Sequence, residues 1–147
     1  MYTEVTNLKF KAKKNPFHVI FISLFIIIFF ISLFFQNENS IFFTLMMLLN
    51  VVNLSSFYFS HYHITASSLI VKHGFVFHTE IPFEDIRHIN YSGKKLHSKK
   101  WTRQRLEIHY NLFDSVTAFV PQEEEKFISL LKENCPHMKV LNMPANK

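Results

Sequence analysis

The chain is 147 residues long and basic, with 16 Lys and Arg against 11 Asp and Glu, and 48% of it is apolar. Its one cysteine, Cys135, excludes an intrachain disulfide framework and a multi-thiolate zinc site, and two glycines exclude a Gly-rich phosphate loop. Beyond any membrane segment, the length leaves room for one compact domain.

Residues 1–16 are polar and basic, with Lys9, Lys11, Lys13 and Lys14 against Glu4. Little regular structure is expected there. Two apolar runs follow, Phe17–Phe35 and Ile41–Phe59, separated by the polar loop Gln36–Ser40. Each is about 19 residues, which as a helix spans roughly 28 Å, close to the hydrocarbon thickness of a bilayer. Neither contains Asp, Glu, Lys or Arg. The pattern predicts a two-helix transmembrane hairpin over 17–59. A buried soluble pair would need wrapping by only about 87 other residues, too few for two all-round-apolar helices. A cleaved signal peptide does not fit, because the first run is too long, has no small-x-small site and is followed at once by another. Positive charge flanks the outer ends of the hairpin and avoids its loop, which carries only Glu38. Both termini are therefore expected on the cytoplasmic side of an inner or plasma membrane. In the second run Asn50 and Asn53 share a helical face at i, i+3, where amides in hydrocarbon seek partners. They are candidate helix-packing residues toward the first span or another copy, so a homo-oligomer stays open. Two helices cannot enclose a pore, which disfavours a translocation path.

From Tyr62 the apolar period becomes two. Short strands are predicted at Tyr62–Thr65, Ser68–His73, Phe75–Ile81, within Phe83–Tyr91, at Arg103–Tyr110 and at Ser115–Val120, with Leu106, Ile108, Val116, Ala118 and Val120 facing inward. Gly74 supplies a turn, and Pro82 ends a strand because it lacks a ladder N–H. The last element is an amphipathic helix. Pro121 is placed at its first position, Glu123–Glu125 sit at its positive end, and Phe127, Leu130 and Leu131 form its stripe. Pro136 stops it, and 137–147 is expected to be a flexible tail. The fold class expected is a membrane α-helical hairpin plus an α+β unit at 60–136, a small antiparallel sheet or barrel capped by a C-terminal helix.

The order "YHIT", "LIVKHG", "IPFEDIRHI", a polar loop, "RLEIHY" and "VPQEEEKFISLL" resembles the bacterial PH-like domain of short membrane-anchored proteins, a group that includes sublancin-immunity-type proteins. The basic entry "FKAKKNPF" to the first apolar run is similar as well. The resemblance implies a PH-like barrel with a terminal helix and brings no catalytic residues.

Gly93–Arg105 is the strongest candidate site. It holds Lys94, Lys95, Lys99, Lys100, Arg103 and Arg105, no acid, and the chain's one tryptophan, Trp101. On a tethered domain each basic residue near anionic lipid is worth on the order of 1 kcal/mol, and Trp101 suits the headgroup boundary. A solvated inter-strand loop with Trp101 covering one end of the barrel is the plainer alternative. Nucleic acid is not expected, since only charge and one aromatic favour it. Nine histidines are present, but none stands at a recognised metal-ligand spacing. No nucleophile elbow appears either, so neither a metal, a cofactor nor an enzyme activity is expected. The reading is a membrane-anchored interaction module that binds a protein partner or anionic headgroups. The alternative is a bacteriocin-immunity or envelope-stress protein acting through its hairpin.

Overall fold

A computed structural model describes residues 8–34, 40–75, 77–96 and 98–142. The hairpin loop with Glu38, the end of the first run at Phe35, Val76, His97 and 143–147 lie outside the described residues.

Two helices, α1 (Pro16–Phe34) and α2 (Ser40–Phe59), run antiparallel between the first strand and the rest of the domain. Their contacts are aromatic: His18 stacks on Phe57 with centroids 6.0 Å apart, and Phe29 meets Phe43 at 5.3 Å. Much of their outer surface is left uncovered by the described residues. Ile20, Leu24, Ile27, Ile41 and Leu48 are all more than half exposed. Among the described residues one helix, Ile41–Phe59, is long and apolar enough to cross a membrane, and the apolar stretch described in the first, Pro16–Ile31, is shorter. Asn50 and Asn53 donate to carbonyls of their own helix, Met46 O at 2.9 Å and Leu49 O at 2.8 Å. Asn50 is buried, and its Oδ1 has no partner.

The remaining elements form two four-stranded sheets. The first runs β1 (Leu8–Lys11), β2 (His61–Ile64), β3 (Ser68–His73) and β4 (Phe77–Pro82), all antiparallel. A 3-10 turn, Phe83–Asp85, leads into β5 (Ile86–Ser92), which pairs with β6 (Arg105–Tyr110) and through it with β7 (Asp114–Phe119). A last strand, β8 (Lys139–Leu141), adds to β5 in parallel. Helix α3 (Glu124–Asn134) closes the core. The period-two reading holds where it rested on alternation: Leu69, Val71, Leu106 and Ile108 are at most 1% exposed.

Three expectations are corrected. The described part of the N-terminal segment, from Leu8, is not unstructured. Residues 8–11 are an edge strand on β2, because Phe10 and Leu8 alternate inward and their backbone finds the free edge beside Tyr62 and Ile64. The chain then continues as a seam between the sheets, with Ala12 bridged to Pro121 and Lys14 to Trp101. Pro121 serves that bridge instead of opening the helix, which starts three residues later, with Glu123 at its cap. The tail is ordered as far as Asn142: Met138 is buried in the core, and 139–141 make β8.

The core is one cluster joining both sheets and α3. Phe127 lies at its centre, 5.4 Å edge-on from Phe10 and 4.8 Å from Tyr62. The Tyr62 hydroxyl crosses to donate to Phe119 O at 2.7 Å, and burial pushes its ionisation far above the ordinary tyrosine range. Cys135 is fully buried, and burial pushes its thiol up to about 11, so the thiolate that would be reactive is scarce at neutral pH.

Candidate interaction surface at the base of the helical pair

The basic loop is pinched shut at its neck and stitched to the start of α1. Gly93 has φ +85°, and a Cβ there would sit 2.7 Å from Arg103 O, so only glycine lets the two arms approach this closely. Within the loop the Ser98 hydroxyl accepts from the amides of Lys100 at 3.3 Å and Trp101 at 3.2 Å. Two backbone bonds then fix it to the seam: Lys14 N–H donates to Lys100 O, and Thr102 N–H to Lys14 O, both at 2.8 Å. Alternation follows from this short parallel pairing. Thr102 and Gln104 are buried, whereas Trp101, Arg103 and Arg105 point out.

That stitching brings only part of the charged set to the helix ends. The Arg103 guanidinium lies over the Phe17 ring at 4.3 Å, in the first turn of α1. The Lys14 ammonium lies over Phe57 at 4.3 Å and Tyr58 at 4.7 Å, in the last turn of α2. Contacts of this type stabilise by about 0.5–1 kcal/mol each at exposed sites. Between them runs a groove of about 530 Å³ lined by Lys11, Lys14, Val19, Tyr58, Lys100 and Trp101. Lys99 and Lys94 are exposed on the loop, and Arg105 begins β6. Lys95 turns the other way, lining a depression with Lys13 and the start of α3. Sequence reasoning treated Lys14 as a bare charge and missed Phe57 and Tyr58. The aromatic run closing the second apolar segment was the available signal.

Beside the groove a smaller cavity of about 210 Å³ is lined by His18, Ser56, Ser60, His73 and Phe119. The His18 Nε2 is buried without a partner. Burial lowers the pKa of His73 below 6.5. It also lowers that of His61, where Lys9, Lys72 and His63 add to the effect of burial and the Phe59 carbonyl opposes it. A folded pKa below the unfolded value means the unfolded chain takes up protons first as pH falls. Stability conferred by these neutral imidazoles is therefore present above about pH 6.5 and is lost as pH falls from there through the folded pKa values. The expected result is a lower unfolding midpoint at about pH 5.5 than at about pH 7.5, with part of the difference removed by His73→Gln, read from urea unfolding in mild detergent.

Elsewhere, His88 and His109 stack at 4.3 Å across β5 and β6. Among the described residues no three His, Cys, Asp or Glu side chains gather to hold a metal ion.

With this geometry in place, the sequence profile of the family described as "Bacterial PH domain" matches residues 60–135. The chain belongs to the bacterial PH domain family. No curated protein and no solved structure matches it. PH domains in general are binding modules without enzymatic activity, and the two sheets closed by α3 fit that α+β fold. In this bacterial PH domain protein the matched region omits two strands of the unit: β1, which comes from before the two helices, and β8, which follows α3.

Proposed function

We propose that the chain is a two-span membrane protein whose PH-like domain binds anionic headgroups at the cytoplasmic face, through Lys94, Lys99, Lys100, Trp101, Arg103 and Arg105, with Lys95 turned toward α3 instead. The observation that carries the reading is where the basic and aromatic groups collect. Lys14, Lys100, Trp101 and Arg103 lie at the ends of α1 and α2, with Arg103 over Phe17 and Lys14 over Phe57 and Tyr58. Aromatic and basic side chains together at the end of an apolar helix match the composition of a bilayer's polar boundary. Much of the apolar surface of both helices is left uncovered by the described residues, which supports hydrocarbon as its solvent. The charge flanks put residues 8–14 and 60–136 on the cytoplasmic side. A polybasic surface held there adds to anionic lipid attraction without any catalytic group.

The test uses the full chain in vesicles, because β1 lies outside residues 60–136. With Lys94, Lys99 and Lys100 changed to Gln, the preference for spin-labelled phosphatidylglycerol over phosphatidylcholine is expected to fall by at least about fivefold, the factor that about 1 kcal/mol sets. An unchanged preference would remove the lipid reading and leave a protein partner for this face. Release of the wild-type chain from membranes by alkaline carbonate would sink the two-span assignment itself.

A further inference from the structure

We infer that the tip of the β3–β4 hairpin, with Phe75 and Phe77, is a separate bilayer-contacting element that dips into the interfacial layer beside α2, an inference that rests on the membrane reading above. Register places it there. β2 begins at His61 directly after α2 and pairs at that residue with Lys72. β3 and β4 run on past this point, to the His73–Phe77 pair and the turn at Gly74. The turn therefore overshoots the end of β2 by two residues, about 7 Å.

It overshoots along the helix, not away from it. A Cβ on Gly74 would meet Ser55 Oγ at 2.8 Å and Ser56 N at 3.0 Å, and the residue holds φ +71°. Ser55 lies four residues before the end of α2, about 6 Å up its axis. The tip thus sits level with the last turn of the helix that is long and apolar enough to cross a bilayer.

The side chains suit that level. Phe75 and Phe77 are 65% and 63% exposed, as are Tyr58 and Phe59 in the last turn of α2, at 65% and 58%. No Asp, Glu, Lys or Arg occurs between Lys72 and Glu80. The occupant of this apolar edge is then the lipid that surrounds α2, since the turn abuts that helix at Ser55 and Ser56. Insertion would hold the domain at three points, the entry of α1, the exit of α2 and the tip. That fixes its tilt and presents the Lys99–Arg105 arm to headgroups.

Depth-dependent quenching tests this in the full chain. Trp101→Phe removes the native indole, and one tryptophan is then introduced by F75W, F77W, L48W or F113W. Leu48 faces outward from α2, and Phe113, 94% exposed, tips the β6–β7 turn at the opposite end of β6 from the basic loop. In vesicles of phosphatidylcholine brominated on its acyl chains, L48W and at least one of F75W and F77W are expected to lose most of their emission, while F113W keeps it. Two tip reporters that behave like F113W while L48W is quenched would overturn the inference and leave the membrane reading standing. An unquenched L48W would overturn both.

Discussion

Replacing Phe127 with alanine is expected to lower the stability of the domain by about 3–5 kcal/mol, the range for truncating a buried aromatic. Phe127 is fully buried and is the side chain through which α3 reaches both the N-terminal strand and β2, in contact with Phe10 and Tyr62. The loss combines the transfer energy of the ring with a cavity at the meeting point of three elements. That cavity cannot close easily, because β1 is anchored by the seam and β2 by the end of α2. Domains of this size are stable by only about 5–15 kcal/mol, so the variant should unfold at much lower urea in mild detergent. Phe127→Leu, which keeps most of the volume, should cost far less. If the alanine variant shifts the midpoint no more than leucine does, α3 is not the element that closes this core.

The second large effect concerns the ion pair inside the seam. Lys13 and Glu124 are both buried, with Nζ and Oε2 3.7 Å apart, joining the segment before α1 to the first turn of α3. The other carboxylate oxygen, Oε1, and the hydroxyl of Tyr91 are buried and, among the described residues, have no partner within hydrogen-bonding geometry. Burial, then the Glu124 carboxylate, pushes the ionisation of Tyr91 far up, so the phenol stays protonated beside the acid. Lys13→Met leaves that carboxylate buried and uncompensated, and it should destabilise by about 3–5 kcal/mol. The paired change Lys13→Met with Glu124→Leu removes both charges and should recover most of the loss, since exchanging a whole buried pair for apolar groups is often neutral or stabilising. A double variant as unstable as the single one would mean that the two charges are not coupled. The same cycle asks whether the N-terminal basic segment belongs to the domain, because a detached segment could not produce the effect.

The strands of the second sheet were legible because their signal is local. Leu106 and Ile108 alternate with Arg105, Glu107 and His109, and period two states which face is buried without reference to any other part of the chain. The stripe of Phe127 and Leu131 was readable for the same reason, with Ile128 beside it in the core. The helical pair was equally plain, since length and the absence of charge over 17–34 and 41–59 need no partner to be recognised. The basic loop showed in composition.

What the sequence could not supply was pairing across distance. Four residues at Leu8–Lys11 are too few to mark a strand, and their partner begins at His61, beyond both helices. Lys14 meets Trp101, and Pro121 meets Ala12, through backbone bonds that leave no pattern in side-chain type. The short β8 is a strand only because β5 offers it an edge. These contacts decide the candidate site, because they gather Lys14, Lys100, Trp101 and Arg103 around Phe17, Phe57 and Tyr58. Residue type alone determined that the chain has two apolar helices, an alternating β unit and a basic loop. The tertiary structure decided that the loop stands at the helix ends and that a basic N-terminal segment closes the domain, because backbone pairing is blind to sequence separation and local periodicity is not.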